Sequence, residues 1–540
     1  MALKGRSLFV LSVILFASSI LGGIYGPRIP VAAAATSGDE LSSNVQSFTK
    51  IYSLVEQNFA DPVNADKAIY KGAIPGMLHT LDPHSNFFDP HEYQALRDDQ
   101  RGHYYGVGML VGTRSGKTVV MAPFPGSPAY KAGLRPGDVI AYVNEKPTDN
   151  MNSTEIADLL KGPRGTPVKI GVVREGTAEP IYFTVIRDEV KRPSVQDAFW
   201  VKPGIAYLKI SSFGETTSRE LDENMKRLGE SNIKGLVLDL RENPGGLLNE
   251  GVAVADHFLQ KGQTIVSHRG RNTAEKPYIA RVGNKGRDYA IVVLVNRYSA
   301  SAAEIVSGAL QDHDRAWVLG ETTFGKGLVQ TVYPLGENTG LALTTAHFYT
   351  PSGRLIQRDY SNKSFYDYYF HKDDNARNPA DVKMTDSGRT VYGGGGITPD
   401  EKYTVPALDA FETELTRKSA FFNFTRHYFA THGTNLPKGW MPDENILTDF
   451  HDYLLQQKYD FKESDFTLDH EWLKRGLAVE MYVTAFNKDE SDRVLAQTDP
   501  EVQRAVESMP KARALVETAR KIIAQRMANP GSQTAALAKH

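Results

Sequence analysis

The sequence of 540 residues contains no cysteine. This absence excludes disulfide bonds, thiolate zinc sites and a cysteine nucleophile, and it leaves the redox compartment open. There is also no excess of charge of one sign, because 62 basic and 64 acidic residues give a net charge of -2. Without a basic excess that could replace counterions, we expect no binding to nucleic acid and no charge-driven binding to an anionic membrane.

The N-terminus predicts export. Lys4 and Arg6 precede an uncharged, mostly apolar stretch at residues 8–24, and residues 32–35 offer an Ala-x-Ala cleavage site. The apolar stretch, about 17 residues long, is near the minimum that spans a bilayer. We therefore expect a location in the periplasm or cell envelope, with this segment either cleaved as a signal peptide or kept as a single membrane anchor.

The rest of the composition is that of a folded protein, with 41% hydrophobic and 23% charged residues. The length indicates three or four folded units. We assign six segments: an export segment at 1–35, an N-terminal helical module at 36–103, a β-rich domain at 104–188, a catalytic core at 189–400, a C-terminal helical extension at 401–528 and a disordered tail at 529–540. The histidines of the helical module lack metal-ligand spacing, so we expect no metal.

Residues 104–188 alternate short strands with turns. A glycine-containing loop at residues 105–111 leads into an apolar strand, and residues 133–140 form a Gly-Leu-Arg-Pro-Gly-Asp-Val-Ile turn. Together these segments resemble a PDZ domain. The resemblance implies that a peptide tail adds as a strand, in a site made by Val107, Gly108, Met109, Ile156 and Leu160. The alternative is that the glycines of the loop only make a tight turn.

The stretch from 204 to 305 predicts an α/β core. Apolar runs at residues 235–240 and 291–295 indicate buried strands, and helical spacing at 217–228 and 247–258 alternates with them. The carboxyl ends of such strands meet at one rim of the sheet, where α/β proteins usually place their sites. We therefore expect the glycines at 245–246 to lie near the serine at 301.

Ser301 and Lys326 are the candidate catalytic residues. Serine is a weak nucleophile that needs a base, and lysine is a base only if burial lowers its pKa from about 10.4 towards 7. Gln330, if its segment is helical, lies on the same face as Lys326 and can orient the amine. The backbone N–H groups best placed in the sequence to stabilise an oxyanion are those of Gly245 or Gly246, together with Ala302.

Other catalytic motifs fit less well. The chain has no Gly-x-Ser-x-Gly and no His-Glu-x-x-His, which argues against a Ser/His/Asp esterase and a zinc protease. Residues 320–326 match the Gly-x4-Gly-Lys of a phosphate loop, but Gly327 stands where such a loop needs Ser or Thr for magnesium. Nucleotide binding is therefore disfavoured.

Several motifs are similar to those of the carboxy-terminal processing peptidases, also called tail-specific proteases. They lie at residues 82–85, 240–246, 296–305, 320–330 and 395–400. The resemblance implies a multidomain α/β fold, with a crotonase-like core, an inserted PDZ domain and flanking helical segments. It also implies a Ser301/Lys326 dyad assisted by Gln330, protein or peptide substrates with exposed C-termini, and no metal or organic cofactor. In that family the PDZ domain also gates the active site.

Two segments depart from that family. An aromatic-rich insertion at residues 359–392 is either a lid, an interaction surface or a surface excursion. The extension after residue 401 has three possible roles. It is a dimerisation module that gives a homodimer or a higher oligomer, a module that encloses substrate, or a packing domain with no active role. Two functions stay open: an active exported endopeptidase, or a catalytically quiet PDZ scaffold that only binds tails.

Overall fold

The structure, a computed structural model, describes residues 37–528 except 115, 362 and 371–377. The predicted export segment and the predicted disordered tail therefore lie outside the described residues. The chain divides into one unit that ends at Met77 and a second that begins at Leu78. None of the helices in the described part combines the length and the hydropathy that a membrane crossing needs.

The first unit is helical. It contains α1 (Ser37–Asn58), α2 (Ala65–Ala68), a π-helical turn (Ile69–Ala73) and the start of α3 (Ile74–His79). The side chain of Asn64 begins α2 by accepting the N–H of Lys67 at 2.9 Å. Large apolar side chains of α1 such as Ile51 are exposed.

The second unit opens with β1 (Asn86–Phe88), α4 (Pro90–Arg101) and β2 (His103–Gly106). A capping box between Asp89 and Glu92 begins α4. Strand β1 pairs with residues 340–342 of the catalytic part, so the predicted helical module at 36–103 extends too far. A three-residue strand is too short to show a period-two pattern, which is why the sequence did not reveal it.

The β-rich domain has six strands and two short helices. They are β3 (Met109–Arg114), β4 (Lys117–Pro123), α5 (Pro128–Ala132), β5 (Val139–Val143), β6 (Lys146–Pro147), α6 (Ser153–Leu160), β7 (Pro167–Val173) and β8 (Ile181–Ile186). The sheet order is β3-β4-β5-β7-β8 with β6 on β5, so β3 is an edge strand. The next strand, β9 (Asp188–Lys191), pairs with β2 where the chain enters and leaves the domain.

The catalytic core follows. Its elements are β10 (Val195–Lys202), β11 (Ile205–Ile210), α7 (Thr217–Leu228), β12 (Gly235–Asp239), α8 (Leu248–Phe258), β13 (Thr264–Gly270), β14 (Thr273–Ile279), β15 (Ala290–Val295), α9 (Ala302–Asp312), β16 (Trp317–Gly320), β17 (Leu328–Pro334), β18 (Gly340–Tyr349), α10 (Phe365–Phe370), β19 (Asn378–Met384), β20 (Thr390–Gly393) and β21 (Glu401–Lys402). The insertion therefore contributes α10 and the pair β19–β20.

Two sheets organise this core. The main sheet has the order β10-β11-β12-β15-β16-β21, and all its pairs except β10–β11 are parallel. The neighbours β12 and β15 align Leu236 with Ile291, so their carboxyl ends meet at one rim, which confirms the prediction from the sequence. The second sheet has the order β1-β18-β13-β14, and β17 also pairs with β18.

The C-terminal helices form two groups that pack against different parts of the protein. They are α11 (Ala410–Arg417), α12 (Ala420–His432), α13 (Glu444–Gln456), α14 (Glu463–Leu468), α15 (His470–Ala485), α16 (Lys488–Thr498), α17 (Pro500–Glu507) and α18 (Met509–Ala528). Helices α11–α15 share one aromatic-rich core, whereas α17 and α18 cover a face of the main sheet. The predicted boundary at residue 400 therefore cuts the catalytic part, because a parallel sheet must be buried on both faces.

Candidate active site

Ser301 lies at the turn between β15 and α9. Its φ of +54° is unusual for a residue with a side chain and stores strain, which costs of the order of 1–3 kcal/mol. Buried hydrogen bonds hold this turn: the hydroxyl of Ser299 donates to the carbonyl of Leu240 at 2.7 Å, and the N–H of Ala300 donates to the carbonyl of Asn243 at 2.9 Å. The serine is thus presented at the rim of the sheet by a tight strand-to-helix turn.

Lys326 lies on the connection between β16 and β17. Its Nζ donates to Oε1 of Gln330 at 2.9 Å. Gln330 belongs to strand β17, so the condition of a helical segment is not met, although the contact between Gln330 and Lys326 is present. The Nε2 of Gln330 donates in turn to the carbonyl oxygen of His84, which approaches from the loop before β1.

Burial lowers the pKa of Lys326, and the negative charges of Glu304 and Asp82 oppose this lowering. The direction is the one that a general base requires. Ser301 and Lys326 line the same cavity, but among the described residues no hydrogen bond joins Oγ of Ser301 to Nζ of Lys326. The amine is instead bonded to Gln330.

Glu304 connects the serine turn to the lysine loop. Its buried carboxylate accepts the N–H of Ser301 at 2.8 Å and the N–H of Lys326 at 2.8 Å. It also accepts the N–H of Gly325 at 2.7 Å and the hydroxyl of Thr323 at 2.5 Å. Burial raises the pKa of Glu304, and these four donors oppose the rise. The sequence places this residue at the N3 position of α9, but only the structure shows what it contacts.

The predicted oxyanion donors come together at the rim. A Cβ on Gly245 would lie 2.9 Å from the nitrogen of Ala302 and 2.7 Å from Cβ of Ser301, so the glycine permits a close approach. The N–H of Gly245, however, donates to Oδ1 of Asn243 at 2.8 Å. Gly245 is therefore wrongly predicted as a donor, because its N–H already has an acceptor. Gly246 and Ala302 remain the candidates.

The cavity at this site measures about 620 Å³. Besides Ser301, Lys326 and Gln330, its lining is largely apolar, with Phe88, Leu96, Phe213, Leu247, Leu248, Ile305, Leu328, Val329, Val332, Ala342 and Phe348. Such a wall suits an apolar side chain next to the reacting group. No group of three or more metal-ligating side chains occurs in the described part of the chain.

A second cavity of about 510 Å³ lies between the edge strand β3 and helix α6. Val107, Met109 and Leu160, which the sequence assigns to the peptide site, line this cavity. Gly108 lies between the first two, with a φ of +77°. Ile156 does not line the cavity: its side chain is 1% exposed and packs in the domain core, because it lies on the inward-facing side of α6. Ala157, next to it, lines the cavity instead.

Helix α4 lies between the two cavities. Ala95 and Asp98 line the groove beside β3, Leu96 and Gln100 line the cavity of Ser301, and Asp99 lines both. This helix belongs to the predicted N-terminal helical module, and its position between the two cavities was not predicted. The sequence marks its ends, with a capping box and Pro90 at the start and Gly102 after the last turn, but such signals do not predict what the helix contacts.

Comparison with known proteins finds two family models that match this chain. The family model described as Peptidase family S41 matches residues 204–361, and that of the PDZ domain matches residues 119–174. A carboxy-terminal-processing protease of Bartonella bacilliformis is 38% identical over 65% of this chain and 79% of the relative. Carboxy-terminal processing protease CtpB of Bacillus subtilis is 32% identical over 61% of this chain and 68% of the relative.

Among solved structures, a photosystem II D1 C-terminal processing protease is 31% identical to this chain. The match covers 58% of this chain and 85% of that chain, with a TM-score of 0.33.

Proposed function

The chain belongs to the carboxy-terminal processing proteases, which are serine-type peptidases of family S41 that carry a PDZ domain. From this premise we propose that it is an exported endopeptidase with a Ser301/Lys326 dyad. The observation that carries the proposal is the shared cavity of the strained Ser301 and the partly buried Lys326, whose amine donates a hydrogen bond to Gln330. We also infer a crotonase-like arrangement of the catalytic core.

The proposed chemistry begins with the neutral amine of Lys326. Nζ takes the proton of the Ser301 hydroxyl while Oγ bonds to the carbonyl carbon of the scissile peptide. The N–H groups of Gly246 and Ala302 then stabilise the oxyanion. The protonated amine returns its proton to the leaving nitrogen, so that the C–N bond breaks and an acyl-enzyme remains. A water molecule, deprotonated by the same amine, hydrolyses the ester and regenerates the hydroxyl.

The proposed substrates are proteins with an exposed C-terminal tail. Strand β3 is an edge strand, and the groove beside it is lined by apolar side chains such as Val107, Met109 and Leu160, which supports the addition of a peptide as a further strand. The apolar wall of the catalytic cavity supports an apolar residue next to the scissile bond. No metal or organic cofactor takes part in the proposed steps.

We propose that the structure represents a resting form, since among the described residues no hydrogen bond joins Nζ of Lys326 to Oγ of Ser301. Helix α4, which contributes Asp99 to both cavities, is the element through which a bound tail can act on the catalytic cavity. Export to the periplasm or cell envelope, a retained membrane anchor and assembly into a homodimer or a higher oligomer stay predictions from the sequence.

The test is cleavage of an unstructured protein such as fluorescently labelled casein by the parent, Ser301→Ala and Lys326→Ala. Both variants should lose at least about a thousandfold in kcat and keep the parent's thermal stability. Equal turnover by all three proteins would refute the dyad. Binding of a tail peptide without cleavage by the parent would instead favour the quiet scaffold.

A further inference from the structure

The insertion places a short helix against His84, the residue whose carbonyl oxygen holds Gln330, the partner of Lys326. Helix α10 carries Tyr368, which is 2% exposed, and Tyr369, which is partly buried. The hydroxyl of Tyr368 lies 2.9 Å from Nε2 of His84, and that of Tyr369 lies 3.1 Å from Nδ1 of the same ring. Both ring nitrogens of His84 are therefore held by the insertion.

The direction of each hydrogen bond follows from its neighbours. The hydroxyl of Tyr369 donates to the carbonyl of Pro83 at 3.1 Å, so it accepts the N–H of Nδ1 of His84. Nε2 is then an acceptor and receives the hydroxyl proton of Tyr368, which itself accepts from Nε2 of Gln357 at 3.2 Å. This order of donors is satisfied by one neutral tautomer of His84.

The charges around His84 agree with a neutral ring. Burial, followed by the positive charges of Lys326 and Arg358, lowers the pKa of His84 to about 3, and the charge of Asp82 opposes them. The ring therefore adds no positive charge beside the lysine at the pH where the amine must be neutral.

The backbone of His84 determines which way Gln330 points. A carbonyl oxygen only accepts, so the oxygen of His84 requires the NH₂ group of Gln330, and Oε1 is left to face Nζ of Lys326. With Oε1 as its partner, the neutral amine uses an N–H and keeps its lone pair for the serine proton. In the flipped amide, the NH₂ group would donate to that lone pair and occupy it.

A second connection runs from the same helix to the lysine loop. Gln357, which donates to the hydroxyl of Tyr368, accepts the N–H of Gly327 through Oε1 at 2.8 Å. Gly327 is the neighbour of Lys326 in the chain. Tyr368 is thus connected to Lys326 in two ways: to the amine through His84 and Gln330, and to the backbone through Gln357 and Gly327.

We propose that Tyr368 and Tyr369 are positioning residues for the general base, acting through His84 and Gln357 to keep the amide oxygen of Gln330 on Lys326. This inference rests on the proposed function and assigns the insertion a role in it. The hydroxyls of the two tyrosines are bonded to His84, Gln357 and Pro83, so they act on the amine through these residues. They keep His84 in one place and one tautomer, and thereby keep the lone pair of the amine free.

The test combines Tyr368→Phe with Tyr369→Phe, which removes two hydroxyls and leaves the rings. The control is Tyr366→Phe on the same helix, where the side chain is 63% exposed. We expect the double variant to lose about tenfold in kcat on labelled casein, with KM within about twofold, and the control to match the parent. The midpoint of the pH–rate profile should move to higher pH, because a loosened loop admits water around the amine. That amine interacts with the charges of Glu304 and Asp82 and lies near the neutral ring of His84, which itself feels the charge of Arg358.

The same two changes in a Gln330→Ala background distinguish positioning from general damage. They should cost clearly less there than in the parent, since the route through His84 and Gln330 is gone and only the route through Gln357 and Gly327 remains. A loss of the same size in both backgrounds, an unchanged kcat in the double variant, or an equal loss in the Tyr366→Phe control would overturn the proposal.

Crystal structures of the parent and the double variant separate this proposal from the proposed function. A parent that cleaves no better than Ser301→Ala refutes the function. The positioning role still stands in that case if Gln330 points to Lys326 in the parent and turns away in the double variant. It falls if Gln330 has the same orientation in both structures.

Discussion

Replacing Glu304 by glutamine tests how the serine turn and the lysine loop are held together. The change keeps the size of the side chain and replaces one carboxylate oxygen by NH₂. If that NH₂ took the position of Oε2, it would face the N–H groups of Ser301 and Lys326, both of which now donate to that oxygen at 2.8 Å. If it took the position of Oε1, it would face the N–H of Gly325 and the hydroxyl of Thr323.

The second orientation costs less, because a hydroxyl can accept a hydrogen bond whereas an N–H cannot. It leaves one buried N–H, that of Gly325, without an acceptor, at a cost of about 1–3 kcal/mol. The remaining bonds change from charged to neutral acceptors and weaken, while the loss of a buried charge offsets part of that effect. We therefore expect a net destabilisation of about 2–3 kcal/mol, which corresponds to about 5–10 °C in the unfolding temperature of the catalytic part.

Calorimetry and casein cleavage measure the two consequences. The transition of the catalytic part should move down, and kcat should fall by about tenfold or more because the loop of Lys326 loses its attachment to α9. Glu250→Gln is the matched control, since Glu250 is half-buried and accepts the N–H of Ser218 at 2.8 Å. An unfolding temperature within about 1 °C of the parent, together with full kcat, would refute the reasoning.

The pKa shifts of Lys326 and Glu501 and the close approach of Gly245 to Ser301 give three further predictions. Burial lowers the pKa of Lys326, so kcat/KM should rise with pH, and the midpoint of the rise should lie below the ordinary lysine pKa of about 10.4. A midpoint at or above that value would contradict a buried base. Burial, together with the like charges of Asp499 and Asp239, raises the pKa of Glu501 from 4.5 to about 7 against the opposing charge of Arg241, so the stability that Glu501 contributes is present below pH 4.5 and lost as the pH rises through 7. Glu501→Gln should flatten the dependence of the unfolding temperature on pH over this range, and an unchanged slope would exclude Glu501 as its source. Gly245→Ala places a Cβ 2.7 Å from the Cβ of Ser301, and kcat should fall by about a hundredfold with the far-ultraviolet circular dichroism unchanged, whereas full activity would show that the turn can yield.

The catalytic core was largely visible in the sequence. Continuous apolar runs such as residues 235–240 and 291–295 predict buried strands, and their alternation with helical spacing predicts a parallel sheet whose carboxyl ends carry the site. The groove of the PDZ domain was also predicted apart from Ile156, whose inward position depends on how α6 rotates against its sheet.

The partners of the site were less visible. Gln330 was paired with Lys326 on the assumption of a helix, yet it lies in strand β17 and meets the lysine through the shape of the loop. His84 and Tyr368 are separated by 284 positions in the chain, and nothing in the spacing of either segment indicates that they meet.

The sequence by itself determined the chemistry: residue types that can act as nucleophile, base and oxyanion donor, on strands whose apolar runs must be buried. Tertiary structure alone decided what surrounds that chemistry. It gathered the loop of His84, the insertion helix and the carboxylate of Glu304 around Lys326 and its partner Gln330, and it laid α17 and α18 on the second face of the sheet. The physical reason is that local patterns report burial and backbone conformation, whereas the partner of a buried polar group is fixed by packing between distant segments.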